Sequence, residues 1–100
     1  MQQPSACASL EEVRQNIDRI DHAIVTLLAE RGGYVKRAAA FKKTSQEVEA
    51  PQRVEQVIGK VRTLAESLEA DPAITEQVYR AMIKGFIEAE LAEHARQATI

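Results

Sequence analysis

Residues 10–43 read LEEVRQNIDRIDHAIVTLLAERGGYVKRAAAFKK, and the spacing of their apolar side chains decides the fold class. Leu10, Val13, Ile17, Ile20, Ile24, Leu27, Tyr34, Ala38 and Phe41, with Arg31 among them, recur at alternating intervals of three and four. Such a pattern is the seam of an α-helix packed along its length on a partner. Gly32-Gly33 argues for a break, since each glycine inside a helix costs about 1 kcal/mol relative to alanine. A break would throw Tyr34, Val35, Ala38 and Phe41 out of phase with Ile17, Ile20 and Ile24, so the phase predicts a helix that runs through.

The remainder of the chain is also helical in pattern. Ala, Glu, Leu, Arg, Lys and Gln dominate, and β-branched runs with period-two alternation are missing. Pro51 follows the polar run Thr44-Ser45-Gln46-Glu47, and Pro72 follows Asp71, an aspartate cap before a first-turn proline. Together these predict an all-α fold of three helices, roughly 9–43, 51–68 and 72–97, with a flexible tail over 1–8 and a single domain over 9–97. At about 1.5 Å per residue the first helix spans about 50 Å, against a radius of gyration of about 13 Å for a compact chain of this length. Two further helices cannot cover such a seam, which predicts self-association through the long helices.

Composition excludes several function classes. Thirteen basic and fifteen acidic side chains give a formal charge of -2, so no overall basic field attracts nucleic acid or an anionic membrane. No apolar run approaches the ~20 residues of a membrane span. The lone Cys7 has no partner for an internal disulfide, and the opening MQQPSACASL lacks the pattern of a secretory signal, which points to the cytoplasm. No metal-ligand cluster, glycine-rich phosphate loop or nucleophile triad is visible, and His22 and His94 fall on separate helices as surface histidines.

The residues that break the apolar pattern are the candidates for chemistry. On a helical wheel Arg31 lies about 20° from Ile24, and Lys42 falls at the angle of Ile24 itself. A cation on an apolar face needs an internal acid, an anionic ligand or a route for its long side chain to water. Arg14 sits on the margin of the stripe, about 25 Å along the axis from Arg31, so one small ligand cannot touch both within a chain. Arg19 and Arg37 point away from the stripe as solvated residues. In the third helix Ile74, Val78, Tyr79, Met82, Ile83 and Phe86 form an apolar arc with Glu90 projecting between Tyr79 and Ile83. Glu90 is then either a helix-end acid that reaches water or a lysine, or a carboxyl kept protonated by apolar burial so that it can donate a hydrogen bond. Arg53, in the first turn of the second helix, opposes the helix dipole and has Glu49 as a possible ion-pair partner. The residues alone thus describe a helical dimer with cations and one acid turned inward, suited to a small polycarboxylate.

The run RQNIDRID from Arg14 to Asp21, Arg31, Tyr34-Val35-Lys36, Phe41-Lys42 and Ala50-Pro51-Gln52-Arg53-Val54 together resemble the all-helical chorismate mutase family, and more particularly its isochorismate-pyruvate lyase branch. The likeness covers about residues 9–94. It implies an intertwined homodimer of three-helix chains in which Arg14 serves the partner's active site. It also implies that Arg14, Arg31 and Arg53 bind the substrate's two carboxylates, and that Lys42 and Glu90 act on the ether oxygen of chorismate or isochorismate. The rearrangement of chorismate to prephenate needs no cofactor, metal or nucleophile, only a clamped substrate and donors where charge develops. Two positions depart from the mutase pattern: Ala50 and Val54 stand where mutases of this family often carry acids, which favours the lyase reaction, isochorismate to salicylate plus pyruvate. Against it, Glu90 stands where glutamine is usual, and lyases of this branch are expected to retain mutase activity, so the resemblance implies chorismate to prephenate first, with the lyase reaction as the alternative. A reading of another class, a non-catalytic helical dimer or ligand sensor, treats the same cations as internally paired.

Overall fold

The computed structural model describes residues 6–98. Of the tail expected over 1–8, residues 1–5 lie outside the described residues. Four helices follow in order: α1 Leu10–Ala39, α2 Ser45–Glu49, α3 Pro51–Ser67 and α4 Pro72–Ala98. No strand occurs among the described residues. The chain divides into two compact units, one running through Val35 and the other starting at Lys36.

The first unit carries α1 up to Val35. Ser9 starts the helix: its Oγ accepts from the Glu12 N–H at 3.1 Å, while the Glu12 carboxylate accepts from the Ala8 N–H at 2.7 Å. Orphan donors of the first turn are satisfied in this way, and Glu11 and Glu12 complement the positive end of the helix dipole. The helix continues through Gly32-Gly33, as the apolar phase predicted. None of the side chains of α1 is buried, and Ile17, Ile20 and Ile24 remain 50%, 45% and 49% exposed. The stripe is present, and its apolar side chains are largely exposed.

The helix is shorter than expected, ending at Ala39 rather than at residue 43. Its last turn tightens: the amides of Ala40, Phe41 and Lys42 donate to the carbonyls of Arg37, Ala38 and Ala39, three residues back. Phe41 therefore leaves the helix and stands 84% exposed. The three expected helices are α1, α3 and α4; in addition the polar run after Lys43 forms the five-residue α2. Thr44 caps it, accepting from the Glu47 N–H at 3.1 Å, and Glu47 accepts from the Lys43 N–H at 3.0 Å. Ala50 closes α2 in the left-handed conformation, φ 39°, and is at once the N-cap of α3, with Pro51 at the first helical position.

In the second unit α3 packs antiparallel to α4, and α2 packs on α4. Ile58, Val61 and Ala65, one stripe of α3, are buried there together with Val48 of α2. The turn between α3 and α4 is a Schellman motif: the Ala70 amide donates to the Ala65 carbonyl at 2.8 Å and the Glu69 amide to the Glu66 carbonyl at 3.2 Å. Glu69 occupies its left-handed position, φ 60°, where glycine is usual. Asp71 then caps α4 as expected, its Oδ1 accepting from the Ala73 N–H at 2.8 Å. On the solvent side the two helices are laced by charge. Arg80 forks onto both oxygens of Glu55 at 2.9 and 3.0 Å and reaches Glu76 at 2.7 Å, while Arg62 meets Glu76 at 2.6 Å. Hydrogen bonds from Arg80 hold the carboxyls of Glu55 and Glu76 below their ordinary value of 4.5, and Arg62 adds to the effect at Glu76.

Candidate active site

Lys42 and Glu90 come together. Lys42 follows the tightened last turn of α1, and Glu90 lies in the last third of α4. The two side chains are 25% and 11% exposed, and Nζ stands 3.3 Å from Oε2. Forty-eight residues of chain separate them, so only the packing of this unit creates the contact. Of the two sequence readings of Glu90, the structure displays the acid paired with a lysine. Lys42, equally, is partnered by an acid and half-buried instead of solvated.

Glu90 lies on the same helix as the apolar arc expected from the sequence. Tyr79, Met82, Ile83 and Phe86 of the α4 arc are half-buried, whereas Ile74 and Val78 near the helix start are more than half exposed, so only the later part of the arc is covered. Ile83, Ile87 and Glu90 recur at intervals of four and three on one face of α4. Val54 of α3 joins Ile83 and Ile87 in lining a groove of about 300 Å³, with Arg80, Lys84 and Glu88 at its edge. Arg53 is exposed in the first turn of α3, lines a separate groove with Gln56, Lys60 and Leu64, and makes no ion pair among the described residues. The pairing with Glu49 considered from the sequence is therefore absent.

Arg14 and Arg31 belong to the first unit. Arg14 is exposed on the second turn of α1 and Arg31 is half-buried just before the glycine pair. Seventeen residues of continuous helix set them about 25 Å apart, which keeps one small ligand from spanning both in the same chain. Among the described residues no group of three or more His, Cys, Asp or Glu side chains could hold a metal ion. No described helix is long and apolar enough to cross a membrane. One buried residue six positions after Lys42 escaped the sequence reading: Val48, the lone apolar side chain of a polar run and 3% exposed. Its isolation two residues before Ala50-Pro51 was the available signal.

A half-buried pair of cation and acid on an all-helical chain suits polarisation of a small anionic ligand. The family described as chorismate mutase type II matches residues 13–91. The chain belongs to that family. It is thus an enzyme of the chorismate mutase type, and similar proteins fall on both sides of the mutase and lyase distinction. It is 35% identical over 97 residues to an isochorismate pyruvate lyase of Pseudomonas aeruginosa, covering 97% of this chain and 95% of that protein. A chorismate mutase of Methanocaldococcus jannaschii is 29% identical over 76 residues, covering 75% of this chain and 77% of that one.

Proposed function

We propose that this chorismate mutase family member rearranges chorismate to prephenate as a homodimer, using substrate positioning and fixed donors without a cofactor. The observation that carries the reading is the Lys42–Glu90 pair, a cation and an acid held 3.3 Å apart in a half-buried setting. In the rearrangement the bond from the ether oxygen to the ring breaks as a carbon–carbon bond forms, and negative charge grows on that oxygen. Lys42 Nζ and a protonated Glu90 donate to it, stabilising the transition state more than the bound substrate. Arg31, Arg53 and Arg14 of the partner subunit hold the two carboxylates, so that the side chain is folded over the ring before reaction; positioning of this kind supplies several kcal/mol.

The homodimer is supported by the uncovered stripe of α1, where Leu10, Val13, Ile17, Ile20, Ile24 and Leu27 are each at least 40% exposed. It is also supported by the span between Arg14 and Arg31, which one ligand cannot bridge in one chain. The family match over residues 13–91 runs across both units and supports reading 9–97 as one functional domain.

A second reaction in the same site, isochorismate to salicylate plus pyruvate, is favoured by the near full-length similarity to the Pseudomonas lyase and by the apolar Val54 directly after Arg53. Incubating the purified protein with each substrate, following loss of chorismate absorbance and gain of salicylate fluorescence, assigns the activity. Turnover of neither sinks both readings. Arg31→Ala is expected to abolish turnover while circular dichroism stays helical; turnover that survives it would favour the non-catalytic dimer.

A further inference from the structure

Among the described residues the side chain with the smallest exposed fraction is Val48, on the five-residue helix α2, and not a member of the α3 stripe. Its neighbours make this unusual, because Ser45, Gln46, Glu47 and Glu49 on the same helix are all exposed. An isolated helix of this length has no stability of its own, since helices shorter than about 12–15 residues are marginal in water. The Thr44 and Glu47 caps shape α2, but both bonds lie within residues 43–47 and fasten it to nothing else. What ties α2 to the rest of the unit is its packing on α4, and Val48 is the side chain it buries there.

The segment from Lys42 to Ala50 is therefore fastened at two points. One is polar, Lys42 Nζ on Glu90 of α4; the other is apolar, Val48. At its far end Ala50 turns through the left-handed region into α3. When Lys42 gives up Glu90 for a substrate oxygen the polar tie opens, and Val48 is left to keep the segment docked. We infer that Val48 is a positioning residue: its burial holds Lys42 at the reacting oxygen during the interval in which Lys42 is not paired with Glu90. The inference rests on the proposed role of Lys42 above.

Three variants test it in the full chain. Val48→Ala is expected to raise the rate of trypsin cleavage after Lys42 and Lys43 about tenfold, the effect of losing about two buried methyl groups. Val48→Asp, which cannot be buried unpaired, is expected to lower kcat by more than tenfold with a much smaller change in KM, because the arginines that bind the carboxylates are untouched. Val48→Ile restores both cleavage resistance and kcat. Circular dichroism of each variant checks that the helices persist. Placed in a Lys42→Ala background, Val48→Asp causes no further loss, as expected for a residue that acts through Lys42. Unchanged cleavage in Val48→Ala, or an additive loss in the double variant, overturns the inference. Full activity in Lys42→Ala overturns it together with the proposed mechanism, whereas an inactive Lys42→Ala beside a fully active Val48→Asp overturns the Val48 inference alone.

Discussion

Replacing Glu90 with glutamine keeps the shape of the side chain and its capacity to donate a hydrogen bond, yet removes the carboxylate that holds Lys42. The separation of 3.3 Å exceeds the roughly 2.7–2.9 Å of a strong ammonium–carboxylate hydrogen bond. With Lys42 25% exposed, the pair belongs near the weak end of the scale, about 1 kcal/mol. Freed of that competition, Lys42 should be available to the ether oxygen and kcat/KM should rise about fivefold in Glu90→Gln. The glutamine amide still donates a hydrogen bond, so the second donor is kept. Initial rates of chorismate loss for both proteins over a series of substrate concentrations measure the effect. An unchanged or lower kcat/KM in the variant would refute the assignment of Glu90 as a donor that competes for Lys42.

Glu69→Gly relieves a left-handed residue whose cost is about 1–2 kcal/mol, while glycine's extra freedom in the unfolded chain takes back about 0.5–1 kcal/mol. The expected net gain of roughly 0.5–1 kcal/mol raises Tm by a few degrees at fixed protein concentration; a lower Tm contradicts the turn assignment. Acid should weaken the α3–α4 lacing. Because the folded-state values of Glu55 and Glu76 lie below the ordinary 4.5, the unfolded chain binds more protons there. Their contribution is complete above 4.5 and is lost as pH falls through the lower folded values. Arg80→Ala should flatten this part of the urea-midpoint profile, and added salt should shrink the difference between the two proteins.

The features legible in the sequence are those set by local periodicity and caps. The 3–4 seam of α1, its continuity across Gly32-Gly33 and the Asp71-Pro72 start of α4 depend on residues within a turn or two of one another. The end of α1 was not legible, because Ala38, Ala39 and Ala40 prolong the helical pattern while the caps of Thr44 and Glu47 begin a competing helix. Lys42 and Glu90 could each be marked as charges on an apolar face, but their meeting depends on α2 and α4 packing across 48 residues of chain. Val48 stayed hidden for the opposite reason. One valine among polar neighbours carries no period, and its burial comes with the packing of α2 on α4.

The absence of buried side chains on α1 has a consequence during synthesis. The helix leaves the ribosome before the sixty-odd residues that follow it, and at about 5–20 residues per second these take roughly 3–12 s to make. Through that interval an apolar ridge of isoleucines and leucines is available to any other nascent or unfolded chain, a standing hazard for aggregation. Glu11, Glu12, Arg14, Asp18, Arg19 and Asp21, interleaved with the ridge, act as gatekeepers whose hydration discourages premature sticking. Neutralising them should leave the spacing of the seam intact yet send a larger share of newly made protein into inclusion bodies.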